Sequence, residues 1–312
     1  MRHWSGAAAA IACLAGTARA QQAPKGQPPQ VAQPAPWARP SYLYSGVSSV
    51  FVSNIDHTPV GRQSYGALVA VGAQVRARFA LLNVELEYDG VFRRYSNTDL
   101  WNRPGHVADG SLALRVNRHL ALGVDGEVSL NGSTEDLVIR NEYSVQPQLE
   151  WRFNRKNRLV LYGEHLLKRY PDPLSGRDAV APRFGFRFRQ ILGESRSWSF
   201  SGRYEYNRAD SSRYRYGGWT AGVDAANPVG VGGRIWSSVR FRTRRYDSRL
   251  VSVGNSQVLR RDLDAVAMLG WEHLVWSTWS VALSYRFEAY TSNDARRKFE
   301  DHRVNLTMRR WW

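Results

Sequence analysis

Arg240, Arg242 and Arg244 recur at every second position, and Arg183, Arg187 and Arg189 keep the same phase. Glu85, Glu87 and Asp89 repeat that spacing with the opposite sign, and Asp109, Asp125 and Glu127 follow. A spacing of two puts side chains on one face of an extended strand. Rows of one sign on one face attract counter-ions, orient dipolar solutes and filter by charge. Covalent chemistry finds less support. Beyond His3, the histidines are His57, His106, His119, His165, His273 and His302, and none stands in a Ser/His/acid pattern. Glu164 and His165 are adjacent, so on a strand they face opposite ways. His57 and His106 fall in or near polar loop segments with Asp99 and Asp109, which leaves a His–Asp dyad as an alternative. No metal-ligand spacing, glycine-rich phosphate loop or nucleotide motif is visible. The expectation is a non-enzymatic protein with no metal and no cofactor.

The charged rows need strands to hold them. From Ser41 onward the sequence alternates, and the pattern predicts fourteen strands. They fall near 41–53, 64–76, 81–94, 106–117, 119–131, 141–153, 158–169, 181–191, 197–208, 215–226, 233–246, 260–274, 279–290 and 300–312. In the third, Leu82, Val84, Leu86, Tyr88 and Phe92 oppose Asn83, Glu85, Glu87, Asp89 and Arg93. In the thirteenth, Trp279, Val281, Leu283, Tyr285 and Phe287 oppose Ser280, Ser284, Arg286 and Glu288. Connections after even strands are short turns, and those after odd strands are longer and polar, as in outer-membrane barrels. A soluble sandwich or propeller would also alternate. Strands this long, with aromatics crowding the apolar face along the whole chain, favour an all-β, antiparallel, up-and-down transmembrane barrel over residues 41–312.

In such a barrel the polar face lines the lumen, and the fourth strand lies opposite the eleventh. Glu85, Glu87, Asp89, Asp109, Asp125 and Glu127 would form an acidic wall facing a basic wall of Arg183, Arg187, Arg189, Arg240, Arg242 and Arg244. The alternative is that these charges pair with neighbours and brace the barrel, with Glu205, Asp224, Asp264, Glu272 and Glu288 as partners. The loops look too short to form a long constriction deep in the lumen. A weak repeat, in which strands end near Tyr95, Tyr170, Tyr206, Tyr246 and Tyr290, predicts an aromatic girdle at the outer interface.

The first twenty residues run from basic Met1-Arg2-His3 through an apolar stretch to Ala18-Arg19-Ala20, the pattern of a signal peptide cut after Ala20. Residues 21–40 are rich in proline and glutamine and read as an extended linker. Cys13 is the single cysteine and lies in the leader, so no disulfide is expected downstream, with a lipoprotein cysteine as the alternative reading. The net charge of +16 is almost wholly arginine, spread along the chain rather than clustered. Behind a secretory leader, that spread argues against a nucleic-acid partner.

The chain ends on His302-Arg303-Val304-Asn305-Leu306-Thr307-Met308-Arg309-Arg310-Trp311-Trp312. Val304, Leu306, Met308 and Trp312 share one face. The pattern resembles the C-terminal signal that bacterial outer-membrane barrels show to their assembly machinery, with Arg310 departing from it. More specifically, Trp279 to Glu288, Ser292-Asn293-Asp294 and Asp301 to Leu306, with Arg261-Asp262 upstream, resemble the end of the barrel domain of surface lipoprotein assembly modulators. Related ends occur in porin-like barrels linked to exopolysaccharide export. The resemblance implies a fourteen-stranded barrel that moves something across the outer membrane. The modulators carry a periplasmic helical repeat domain where this chain has a proline-rich stretch. Two functional expectations follow: a channel for polar or anionic solutes or an exported polymer, or a modulator-like barrel that acts on a surface lipoprotein with a separate periplasmic helper. Either sits in the bacterial outer membrane among its lipid and lipopolysaccharide.

Overall fold

The computed structural model describes residues 41–98, 102–131, 139–193 and 196–312. The expected signal peptide, the proline-rich segment and Asp99 lie outside the described residues. Fourteen antiparallel strands form among the rest: β1 (Ser41–Val52), β2 (Ser64–Arg78), β3 (Leu82–Tyr95), β4 (Gly105–Arg115), β5 (Leu120–Leu130), β6 (Asn141–Arg152), β7 (Asn157–Arg169), β8 (Ala179–Ile191), β9 (Ser197–Ala209), β10 (Tyr216–Pro228), β11 (Gly233–Val253), β12 (Ser256–Trp276), β13 (Trp279–Ser292) and β14 (Phe299–Trp311). Each pairs with its sequence neighbours, and β1 closes on β14. Closure removes both sheet edges and pairs the backbone polar groups without water, the condition for crossing a bilayer with strands. No described helix is long and apolar enough to cross a membrane. The only described helical pieces are single 3-10 turns at Ser175–Arg177, Ser212–Tyr214 and Ala295–Arg297.

Alternation sets the two faces. Leu86, Phe184, Trp219 and Leu283 stand on the outside and are exposed, whereas Glu272, Ser280 and Asp301 are buried on the inside. The molecule is therefore apolar outside and polar within, the reverse of a soluble domain. The end that carries both strand termini has the short connections, and the opposite end has most of the longer ones. The usual barrel orientation would set the first end at the periplasm and the second, called the outer end below, away from it.

Two features at the outer end differ from the expectation. The segment after β11 is not a polar loop. β11 and β12 continue as a paired hairpin from Leu250↔Leu259 to Val253↔Ser256, past a bulge between Arg245 and Leu250. Leu250, Val251 and Val258 sustain strand structure there, and Gly254, at φ +58°, occupies the first central place of a two-residue turn. The tyrosine girdle also fails at three of its positions. Tyr95, Tyr246 and Tyr290 are buried and point inward. Parity explains this: Tyr246 shares the phase of Arg242 and Arg244, and Tyr290 that of Arg286 and Glu288. Only Tyr206 lies in phase with the outer face, where its hydroxyl donates to Asp247 at 3.0 Å.

The β1–β2 loop, residues 53–63, reaches into the mouth of the barrel. Ile55 is fully buried with Val50, Val52 and Tyr95, and Leu68 packs against them. The Asn54 amide N–H donates to Asp301 at 3.0 Å, and the Asn54 side chain donates to the Thr58 and Glu300 carbonyls at 2.7 and 3.1 Å. A small apolar cluster and a ring of hydrogen bonds thus hold the loop down.

Candidate functional site: the charged lumen

Strand pairing decides how the inward charges meet. Glu87 is directly opposite Asp109, and Asp109 is directly opposite Glu127. Three carboxylates thus stand in one row across β3, β4 and β5, and none has a described cation within ion-pair distance. Like charges placed directly opposite repel, so this row is kept at a cost in stability. The other three acidic-wall residues have partners. Glu85 accepts from Arg76 at 2.7 Å and from Gln74, Asp89 accepts from the Tyr44 hydroxyl, and Asp125 accepts from Gln148 at 2.9 Å. The close approach of Tyr44 to β2 requires Gly72, since a Cβ there would collide with the tyrosine ring.

The basic wall divides in the same way. Arg183 bridges Glu164 at 2.9 Å and Glu205 at 2.5 Å, and Glu205 also accepts from Lys168 and from the Tyr216 hydroxyl, each at 2.7 Å. Arg242 is paired with Asp264 across β11 and β12. Arg189 donates to the Ser197 hydroxyl at 3.2 Å, and Arg244 lies over the Tyr216 ring. Arg187 and Arg240 have no carboxylate within ion-pair distance among the described residues. The bracing alternative therefore holds for Glu85, Arg183 and Arg242. The Glu87–Asp109–Glu127 row and Arg187, Arg189, Arg240 and Arg244 are left without an ion-pair partner among the described residues.

Circular order completes the geometry. Seven strand steps separate β4 from β11 in either direction, so the carboxylate row lies across the lumen from the β11 arginines. A cavity of about 440 Å³ lies between the walls, bounded by Glu127, Glu142 and Glu164 on one side and by Arg240, Arg244 and Arg303 on the other. Arg203, Arg260 and Arg286 also line it. These three were absent from the sequence-derived wall because they alternate with acids (Glu205, Asp262, Glu288) rather than forming runs of one sign. Their parity with those acids was the available signal.

His57 brings the β1–β2 loop into this space. Its ring stacks on Phe299 at 4.7 Å, and Nε2 lies 3.9 Å from Asp301. Burial pushes its imidazole below the usual value. Glu288 and Asp301 oppose that shift, while Arg303 and Arg286 reinforce it. Among the described residues His106 forms no dyad with Asp109, because His106 sits on the outer face against the Tyr88 hydroxyl at 2.8 Å and Asp109 faces the lumen, while Asp99 lies outside the described residues. Among the described residues no group of histidine, aspartate and glutamate is placed to hold a metal ion.

On β14, Val304, Leu306 and Trp312 are exposed on the outer face, with Met308 in phase with them. Arg310 faces the same way, its guanidinium 5.0 Å from the Trp312 ring centroid and 5.8 Å from that of Trp279. Trp311 turns inward and is buried, its indole N–H donating to the Ser280 hydroxyl at 3.0 Å and its ring 5.3 Å from both Tyr42 and Tyr44.

No family model matches the chain, and no curated protein matches it. Its solved structural likenesses are outer-membrane barrels. An anion-selective porin from Comamonas acidovorans aligns over 87% of this chain and 98% of its own, with a TM-score of 0.52 and 9% identity. A bacterial polysaccharide outer membrane secretin aligns over 86% and 98%, with a TM-score of 0.49 and 12% identity. OccK5 of Pseudomonas aeruginosa aligns over 87% and 98%, with a TM-score of 0.48 and 9% identity. At such identities the likeness is one of fold: a bacterial outer-membrane, porin-like barrel.

Proposed function

We propose that this chain is an outer-membrane channel that passes polar, anionic solutes through a lumen carrying a transverse electric field. It works by binding and steering rather than by making or breaking bonds. The observation that carries this reading is the separation of charge among the described residues: a row of three carboxylates without an ion-pair partner on β3–β5, opposite β11, where Arg240 and Arg244 have no carboxylate within ion-pair distance. A barrel that needed its lumen charges only for rigidity would neutralise them in pairs, as it does at Arg183–Glu205. An anion crossing the cavity is drawn to the arginine wall and pushed from the carboxylates, so its dipole aligns and its path is offset to one side.

The measurement is reversal potential in planar bilayers under a salt gradient. Wild type prefers anions, and the combined variant Arg240→Ala/Arg242→Ala/Arg244→Ala loses most of that preference while still conducting. Unchanged selectivity in the variant, or no conductance from wild type, refutes the proposal.

A further inference from the structure

The outer face of β9–β12 carries a second cluster of arginines that the lumen does not use. Arg245 and Arg261 are directly opposite each other across β11 and β12. Both are exposed and lie in phase with the apolar outer residues Phe241 and Leu269. Gly217 on β10 sits beside Arg245, and Tyr206 on β9 sits beside Gly217, so one outward row runs Tyr206, Gly217, Arg245, Arg261. Arg208 joins it, its guanidinium 5.5 Å from the Tyr206 ring centroid. Two adjacent cations, with a third two strands away, therefore stand at the outer end of one sector. None has a carboxylate within ion-pair distance among the described residues. The nearby acid, Asp247, is engaged by the Tyr206 hydroxyl at 3.0 Å.

Below the cluster, past Thr243, Leu263 and Thr291, the outward positions carry small apolar residues. Ala265 on β12 is opposite Ala289 on β13, and Ala267 lies one outward step below. Phe241 flanks this strip on one side and Phe287 on the other, as cross-strand neighbours of Ala265 and Ala267. Cations above a strip of small apolar residues match an amphiphile with anionic groups at its head and acyl chains below. Uncompensated arginines on a lipid-facing wall are costly unless the interface supplies anions.

We propose that this sector is a binding site for lipopolysaccharide of the outer leaflet. Its phosphates lie on Arg245 and Arg261, with Arg208 at the edge, and an acyl chain lies over Ala265, Ala267 and Ala289. The assignment rests on the outer-membrane reading but not on what the lumen carries. The charge complementarity is local. The outer ends of β1–β3 instead present Phe51, Tyr65 and Phe92 on the lipid side, with the single arginine Arg94.

The test is native mass spectrometry of the full chain in detergent, titrated with short-chain lipopolysaccharide, with folding checked by heat-modifiable gel mobility. Wild type retains one or more lipopolysaccharide molecules. Arg245→Glu/Arg261→Glu weakens binding by about tenfold or more, and the milder Arg245→Gln/Arg261→Gln by less. Arg94→Glu leaves binding unchanged, and lipopolysaccharide stripped of phosphate binds wild type no better than the charge-reversed variant. Equal binding by wild type and Arg245→Glu/Arg261→Glu, or equal binding of the phosphate-free lipid, overturns the site. A wild type that conducts ions but binds no lipopolysaccharide also overturns it while leaving the channel intact. Binding without conductance keeps the site and removes the channel.

Discussion

Asp109→Asn should make the barrel more stable, although it removes a residue from the proposed working face. Asp109 is the middle carboxylate of its row and faces Glu87 on one side and Glu127 on the other. Cross-strand neighbours lie about 5 Å apart. At that distance two unit charges repel by about 1 kcal/mol in bulk water and about 3 kcal/mol at an effective dielectric of about 20. Asp109 is exposed to the lumen, which favours the lower value. Two contacts are relieved, so with all three carboxylates ionised the expected gain is at most about 2 kcal/mol at low ionic strength, and asparagine keeps the shape of the side chain. The gain should shrink toward zero near 1 M salt, where the screening length is about 3 Å. The assay is urea unfolding from lipid vesicles, followed by tryptophan fluorescence at low and high salt, with reversal potential measured in parallel. The variant should also prefer anions more strongly than wild type. If Asp109→Asn were less stable than wild type, or equally stabilised at both salt concentrations, the carboxylate row would not be the repulsive element described above.

Two further outcomes separate bracing charges from field-bearing ones. Arg242→Ala strips the cation from buried Asp264 and should cost about 2 to 4 kcal/mol, somewhat less than a fully buried pair because the guanidinium reaches lumen water. Arg240→Ala breaks no pair and should change the unfolding midpoint by about 0.5 kcal/mol or less, while still lowering anion preference. For His57, burial lowers the folded-state pKa, so docking of the β1–β2 loop is at full strength above the ordinary imidazole value of about 6.5. Docking is lost as pH falls from there through the lower folded value. Amide protection of Asn54 and Ile55 should fall over that window in wild type and stay flat in His57→Phe, which keeps the stacking on Phe299. Protection that falls equally in both would remove His57 as the cause.

Much of the fold was legible because a barrel strand writes its two environments into alternate residues. The boundaries of β5, β6 and β9 fall within one residue of the sequence expectation, since phase and turn residues agree there. β11 ran long because an outer hairpin of valines and leucines reads locally like either loop or strand, and only cross-strand pairing decides. The tyrosines were misplaced for a different reason. Position in a repeat suggested an interface, whereas parity with Arg244 or Glu288 had already put Tyr246 and Tyr290 inside. The charged walls were visible strand by strand, but which charges meet depends on stagger between strands. Nothing in β3, β4 or β5 alone says that Glu87, Asp109 and Glu127 share a row, or that Arg183 finds Glu205 while Arg240 finds no carboxylate.

The paired indoles at the chain terminus bear on how the barrel selects its closing alignment. If β14 slid along β1 by one residue, every side chain would change face, and the apolar pattern alone forbids that. A slide by two is harder to reject, because it returns all residues to their proper faces and keeps Val304, Leu306 and Met308 in lipid. Trp311 discriminates there. Its ring meets Tyr42 and Tyr44 of β1 in one alignment, and displacement by two residues, about 7 Å along the strand, would part it from both, whereas its hydrogen bond to Ser280 on β13 would travel with β14. Trp312 marks the membrane face, and Trp311 reports that closure has stopped at the right rung.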